Sequence, residues 1–358
     1  MQRLYGIQYL RFVAALLVML GHAFMDGHDF HLIDDRTYAA LGTIPWGGGV
    51  DIFFVISGFI ITMLLDRDAK SRGGERFLAN RLIRVAPIYW LYTAAMLLAA
   101  TVVTAKGAKE FNLDYIGASF GFIPWPDERG MPRPILGQGW TLEYEMYFYL
   151  LAYIVALIAG RARNLSLAIV LGGVTLALYA TSQLTPFGRF YTGFYGSLVV
   201  FEFVVGIACY NIYRNAPPVK FWFKCALVAV GAVLMVGLSQ IAWMDRLFAQ
   251  GLPAGLIVMG FALPGRRQGR PIPWLEEFGN ASYSLYLLHP FVTNGCALLF
   301  AHFLPNGWPP YVSVSIVVAT AAAVISYNVI EKPMIAYLRA RLPERATPSL
   351  TTAGVRDQ

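Results

Sequence analysis

The chain has 358 residues, of which 57% are hydrophobic and only 14% charged. Soluble domains carry about 25% charged residues, so this composition, with a mean hydropathy of +0.54, excludes an ordinary soluble enzyme and specifies an all-α polytopic integral membrane protein. The formal charge of +7 marks cytoplasmic loops of such a protein rather than nucleic-acid binding, and three cysteines without CxxC spacing give neither a disulfide framework nor a zinc site.

The first apolar segment, residues 7–24, contains both Arg11 and His22. On a helix these lie only ~20° apart around the axis, with ~16 Å of rise between them. A mid-bilayer arginine costs ~2.5–3.5 kcal/mol on the insertion scale. Snorkelling of Arg11 to one interface and placement of His22 in the other explains either residue alone. Two ionisable groups on one stripe point instead to a helix face lining a protein or water-filled interior. Arg11 interrupts the apolar run and no small-x-small site precedes Asp26, so the segment is expected to be a retained helix rather than a cleaved leader.

Ten spans follow in chain order: residues 7–24, 44–65, 85–105, 141–159, 165–182, 193–213, 221–239, 252–263, 281–303 and 311–330. The eighth is short and is either extended towards Ile241 or re-entrant. With the N-terminus inside, twenty Lys and Arg fall in inner connections and seven in outer ones, which predicts both termini cytoplasmic. Residues 1–341 form one membrane domain, and 342–358 are expected to be a disordered cytoplasmic tail. Two connections are long. Residues 66–84 are inner and basic. Residues 106–139 are outer and hold Pro124, Pro126, Pro132 and Pro134, which argues against regular helix and suggests a cover over an outer cavity.

At the outer half, His22, Asp51, Glu143 and Glu145 fall at similar depth. A carboxylate beside a histidine orients its tautomer and stabilises the imidazolium, as a general base requires. Glu143 and Glu145 are ~200° apart on a helix, so at most one faces the same interior. At the inner half, Arg76, Arg81 and Arg84 precede the third span. Arg81 and Arg84 are one turn apart and can converge on one anion, or they are positive-inside charge meeting anionic lipid. A basic inner mouth, Arg11 further in and a base near the far surface suit a donor with phosphates at one end and a reactive group on a long arm. Acyl-CoA has that shape.

Five stretches carry a family resemblance: Ile7-Gln8-Tyr9-Leu10-Arg11 with His22; residues 49–59; residues 77–87; residues 140–149; and Ser282-Tyr283-Ser284-Leu285-Tyr286-Leu287-Leu288-His289-Pro290. Together and in order they resemble the acyltransferase 3 family of bacterial membrane O-acyltransferases. The resemblance implies transfer of an acyl group, most often acetyl, from acyl-CoA to a hydroxyl of a polysaccharide or lipid-linked oligosaccharide outside the inner membrane. It implies His22 as the catalytic histidine, Arg11 as its motif partner, and Arg81 and Arg84 as the pair that meets the donor. The family glutamate, five residues after tryptophan, is Glu145 here, and Thr141 replaces the usual serine. Residues 140–146 resemble the exopolysaccharide-linked branch, where the group transferred is acetyl or succinyl. The expected set is then His22, Asp51 and Glu145 for catalysis and Arg11, Arg76, Arg81 and Arg84 for the donor, with no resident metal or cofactor and room for a homo-oligomer.

His289 is expected to play a structural part, bonding a carbonyl freed by Pro290 or Tyr286. Glu202 either pairs with a tyrosine or touches acceptor sugar. His28 and His31, among Asp26, Asp29, Asp34 and Asp35, read as a solvated loop. The rival reading is a transporter or flippase for a polysaccharide intermediate, with Arg11, Glu202 and His289 coupling ions, but the sequence shows no matching broken helices in two halves.

Overall fold

A computed structural model describes residues 4–67, 74–103, 112–127, 130–158, 163–185, 188–266, 270–305 and 307–342. The proposed tail lies outside the described residues from position 343 onward. The helices are α1 (Tyr5–Asp29), α2 (Asp35–Leu41), α3 (Gly48–Arg67), α4 (Gly74–Val103), α5 (Leu113–Phe120), α6 (Trp140–Ile158), α7 (Arg163–Leu184), α8 (Arg189–Tyr195), α9 (Phe201–Asn215), α10 (Phe221–Leu238), α11 (Leu252–Ala262), α12 (Pro273–Phe303), α13 (Trp308–Ser326) and α14 (Lys332–Ala340). Among the described residues there is no strand, and nine helices are long and apolar enough to cross a membrane. A shorter apolar segment, Leu247–Ala262, opens with a π-helical turn and matches the weak eighth span.

The helix ends alternate as the charge count requires. At one end Tyr9 accepts from the Ile272 amide at 2.8 Å, Arg214 pairs with Asp66 at 3.1 Å, and Val219 donates to Pro264. These contacts join the start of α1, the ends of α3, α9 and α11, and the starts of α10 and α12. They form the end assigned to the cytoplasm. At the other end Gln240 donates to the Thr43 carbonyl at 2.7 Å, and Trp90 donates to the Phe120 carbonyl at 2.8 Å. Val233, Val317, Ile158 and Leu165 project outwards, as lipid-facing side chains do.

Two connections differ from expectation. The basic inner segment is not loop from residue 74 onward. Arg76, Arg81 and Arg84 ride on the first turns of α4, and this sets Arg81 and Arg84 in fixed register one turn apart. The proline-rich outer connection is helical over α5, where Asn112 caps the Tyr115 amide, and it folds back so that Ile135 donates to Ser119 and Leu136 is fully buried. The prolines lie after this helix; the described residues from 124 to 134 are not regular helix, as expected, whereas residues 113–120 are.

Close approach of α3 and α9 depends on two glycines. A Cβ at Gly206 would sit 2.2 Å from the Val55 carbonyl oxygen, and one at Gly58 would sit 2.2 Å from that of Phe203. Small residues let membrane helices pack backbone to backbone. Gly206→Val is therefore expected to cost more than the ~1–3 kcal/mol of ordinary overpacking. Thermal unfolding in mild detergent checks this against Gly237→Ala, where an added Cβ meets nothing within 4 Å.

Candidate active site

A cavity of about 210 Å³ lies between α1, α3, α4, α6 and α12. Its polar lining includes Arg11, Arg81, Arg84, Ser57, Glu145 and Tyr149. Each helix contributes by its own periodicity: Arg81 and Arg84 on one face of α4, and Thr141, Glu145 and Tyr149 at four-residue intervals on α6. Glu145 accepts from Ser57 at 2.9 Å and from the Tyr149 hydroxyl. Gln8 accepts from Arg11 at 3.4 Å. The Arg81 Nε is buried without a partner among the described residues.

Glu331 completes the charge set. It lies in the π-helical turn that joins α13 to α14, is 2% exposed, and accepts from Ser284 at 2.6 Å. Ser284 is linked through Ser326 to Tyr92, so α4, α12 and α13 are tied together beside the cavity. Arg84, Glu331 and Glu145 all act electrostatically on Arg11. Arg11, Arg81 and Arg84 line the cavity together with Glu145, whereas Glu331 lies outside the lining and is held by Ser284. Sequence reasoning missed Glu331. Its signal was an acid at the very end of the last apolar run.

The structure brings together only part of the expected set. Arg11, Arg81, Arg84 and Glu145 share the cavity. Arg76 is exposed and does not line it. His22 is half-buried near the opposite end of α1, and its neighbour is His289, with ring centroids 5.0 Å apart and planes at 75°. Tyr286 lines the cavity and lies 6.0 Å from the His289 ring, so two rings separate the cavity from His22. Glu143 is fully buried and does not line the cavity, in keeping with its offset of ~200° from Glu145.

Neither expected carboxylate sits on His22. No carboxylate among the described residues is hydrogen-bonded to its ring. Glu145 faces the arginines. Asp51 is fully buried in a bidentate pair with Arg246, with both N···O distances 2.9 Å. Glu202 packs beside that pair, and Gly251 leaves room for its side chain. The count of outer arginines included Arg246 but did not reveal it as a partner. The acid one turn from His22 is Asp26, which is buried and accepts from Asn294 at 3.1 Å. Hydropathy puts it in a loop because the apolar run ends at Phe24, whereas α1 continues to Asp29. His28 bonds Asp35 at 2.9 Å and stacks on Tyr38. Asp34 caps α2, and the Thr37 amide and hydroxyl hold its carboxyl below the usual range.

Removing Arg246 strands two buried acids. Arg246→Ala is expected to cost about 3 kcal/mol, the low end for a broken buried pair because the Arg246 side chain is itself 36% exposed. Unfolding midpoints of Arg246→Ala, Asp51→Asn and the double variant check this. The double variant should recover much of the loss, because it no longer leaves Asp51 charged.

An all-α bundle with three arginines converging on one internal cavity, and a histidine further along the first helix, defines a polytopic membrane protein. A family model described as an acyltransferase domain (acyltransferase 3) matches residues 4–328, and the chain belongs to that family of O-acyltransferases. It is 30% identical over 299 residues to the exopolysaccharide production protein ExoZ of Rhizobium meliloti (strain 1021), covering 82% of this chain and 90% of ExoZ. It is 24% identical over 328 residues to the peptidoglycan O-acetyltransferase OatA of Listeria monocytogenes serovar 1/2a, covering 80% of this chain and 51% of OatA. No solved structure matches the chain.

Proposed function

We propose that the chain moves an acyl group, acetyl in the first instance, from cytoplasmic acyl-CoA to a hydroxyl of a polysaccharide unit, free or lipid-linked, on the far side of the bacterial inner membrane. The observation that carries this reading is the convergence of Arg11, Arg81 and Arg84 on one cavity. Guanidiniums bind phosphate oxygens in charge-assisted pairs. Drug-sized ligands fill cavities of roughly 300–1,000 Å³, so this cavity suits an arm of the donor, with its phosphates at the inner mouth.

His22 takes the acceptor proton as the hydroxyl oxygen attacks the thioester carbonyl. The C–O ester bond forms and the C–S bond breaks. The electron pair leaves on sulfur, which takes the proton from the His22 imidazolium and returns the ring to its neutral form. Arg11 and the α4 arginines hold the donor, and Glu145 and Glu331 keep those arginines in place. The names of ExoZ and OatA support a saccharide acceptor.

The test uses inside-out membrane vesicles supplied with labelled acetyl-CoA and containing polysaccharide from a strain lacking this chain. Alkali-labile label on the polysaccharide is expected. Label that never leaves the donor, or a product formed only when donor is supplied to the periplasmic face, would refute the reading.

A further inference from the structure

His289 is fully buried in α12, and its Nδ1 lies 3.2 Å from the Leu285 carbonyl oxygen. A carbonyl only accepts, so Nδ1 carries the hydrogen and Nε2 of the neutral ring is a bare acceptor. That Nε2 is buried and has no partner among the described residues. A buried acceptor left unpaired costs about 1–3 kcal/mol. The carbonyls that Pro290 disturbs do not need the ring, since the Gln138 amide donates to Tyr286 and Leu287 at 3.3 and 2.9 Å. The bond to Leu285 therefore orients the imidazole without explaining why an imidazole is there.

The neighbour is His22. Two imidazoles joined by one N–H···N bond of about 2.9 Å have centroids roughly 5 Å apart, and the observed separation is 5.0 Å. The planes stand at 75° and the two rings are not hydrogen-bonded, so the pairing requires His22 to turn about χ2, a broad torsion.

We propose that His289 is the positioning residue for His22. Its Nε2 accepts the His22 N–H and fixes the tautomer that leaves the other His22 nitrogen bare towards the acceptor hydroxyl. The proposal deepens the function above and rests on its reading of His22 as the base. A second imidazole does the orienting work that a carboxylate does in a Ser-His-Asp triad. It does so without placing a resting charge in the bilayer, where an unpaired charge is expensive. Charge develops only when His22 takes the proton, and the N–H···N bond then becomes charge-assisted.

The test measures acetyl transfer from acetyl-CoA to polysaccharide purified from a strain lacking this chain, using full-length protein in vesicles. His289→Phe keeps volume without an acceptor, and His289→Gln returns an amide oxygen near the Nε2 position. The phenylalanine variant is expected to lose on the order of 30-fold in kcat with donor KM nearly unchanged, and glutamine to recover about tenfold of that. Transfer within threefold of wild type by the phenylalanine variant, or glutamine no better than phenylalanine, would overturn the proposal. Should the phenylalanine variant not accumulate, 15N imidazole shifts of the unmodified protein decide. One fixed His22 tautomer with a hydrogen-bonded N–H is expected, and two exchanging tautomers overturn the pairing. His22→Ala separates the two readings. If it transfers normally, the base assignment fails. If it is inactive while His289→Phe is active, only the pairing fails.

Discussion

His22→Ala is expected to abolish acyl transfer, with a loss on the order of 10³-fold, while the protein still accumulates in the membrane. General-base catalysis contributes about 10²–10⁴-fold, and an alcohol is too weak an acid to attack a thioester without losing its proton. The fold should tolerate the change. His22 is only half-buried, and alanine is a better helix former. The measurement is initial rate in vesicles containing equal amounts of wild type and variant, each shown by detergent gel filtration to be intact. More than a tenth of the wild-type rate in the variant would remove His22 from the chemistry.

Arg81→Ala and Arg84→Ala should each raise the donor KM by roughly 10–100-fold, because a hydrogen bond to a charged group is worth about 1.5–3 kcal/mol. At saturating donor, kcat should fall far less, since the arginines bind the donor in ground and transition state alike. Lysine should restore only part of the affinity, because an ammonium cannot present the planar fork. Arg76→Ala is the comparison. Arg76 is exposed and does not line the cavity, so its removal should change donor KM by less than threefold. Equal effects at positions 76, 81 and 84 would mean that the segment meets lipid headgroups rather than donor. The bare Nε of Arg81 strengthens the case, as a buried donor held ready for a ligand.

Membership in the acyltransferase 3 family was legible from five short stretches, and the comparisons show it. The arginine cavity was half legible. The one-turn spacing of Arg81 and Arg84 showed that they share a face, but not that Glu145 faces them, because a helical wheel carries no information about the neighbouring helix. Asp51 illustrates the same gap. Depth placed it beside His22, yet its guanidinium partner, Arg246, lies 195 residues along the chain in a connection that looked merely polar. Asp26 was hidden for another reason: hydropathy marks where apolar side chains stop, and a helix with buried polar groups continues beyond that point.

What the amino-acid sequence determined by itself is the set of helices that enter the membrane, their alternating direction, and the depth of Arg11 and His22 within the first. These are local properties, settled by apolar length, loop charge and a rise of 1.5 Å per residue. What only the tertiary structure decided is which side chains meet across helices: Glu145 with Ser57, Asp51 with Arg246, and His22 with His289. Those pairings depend on where close backbone contacts, such as Gly58 against Gly206, let one helix lie on another, and that geometry belongs to the packed bundle.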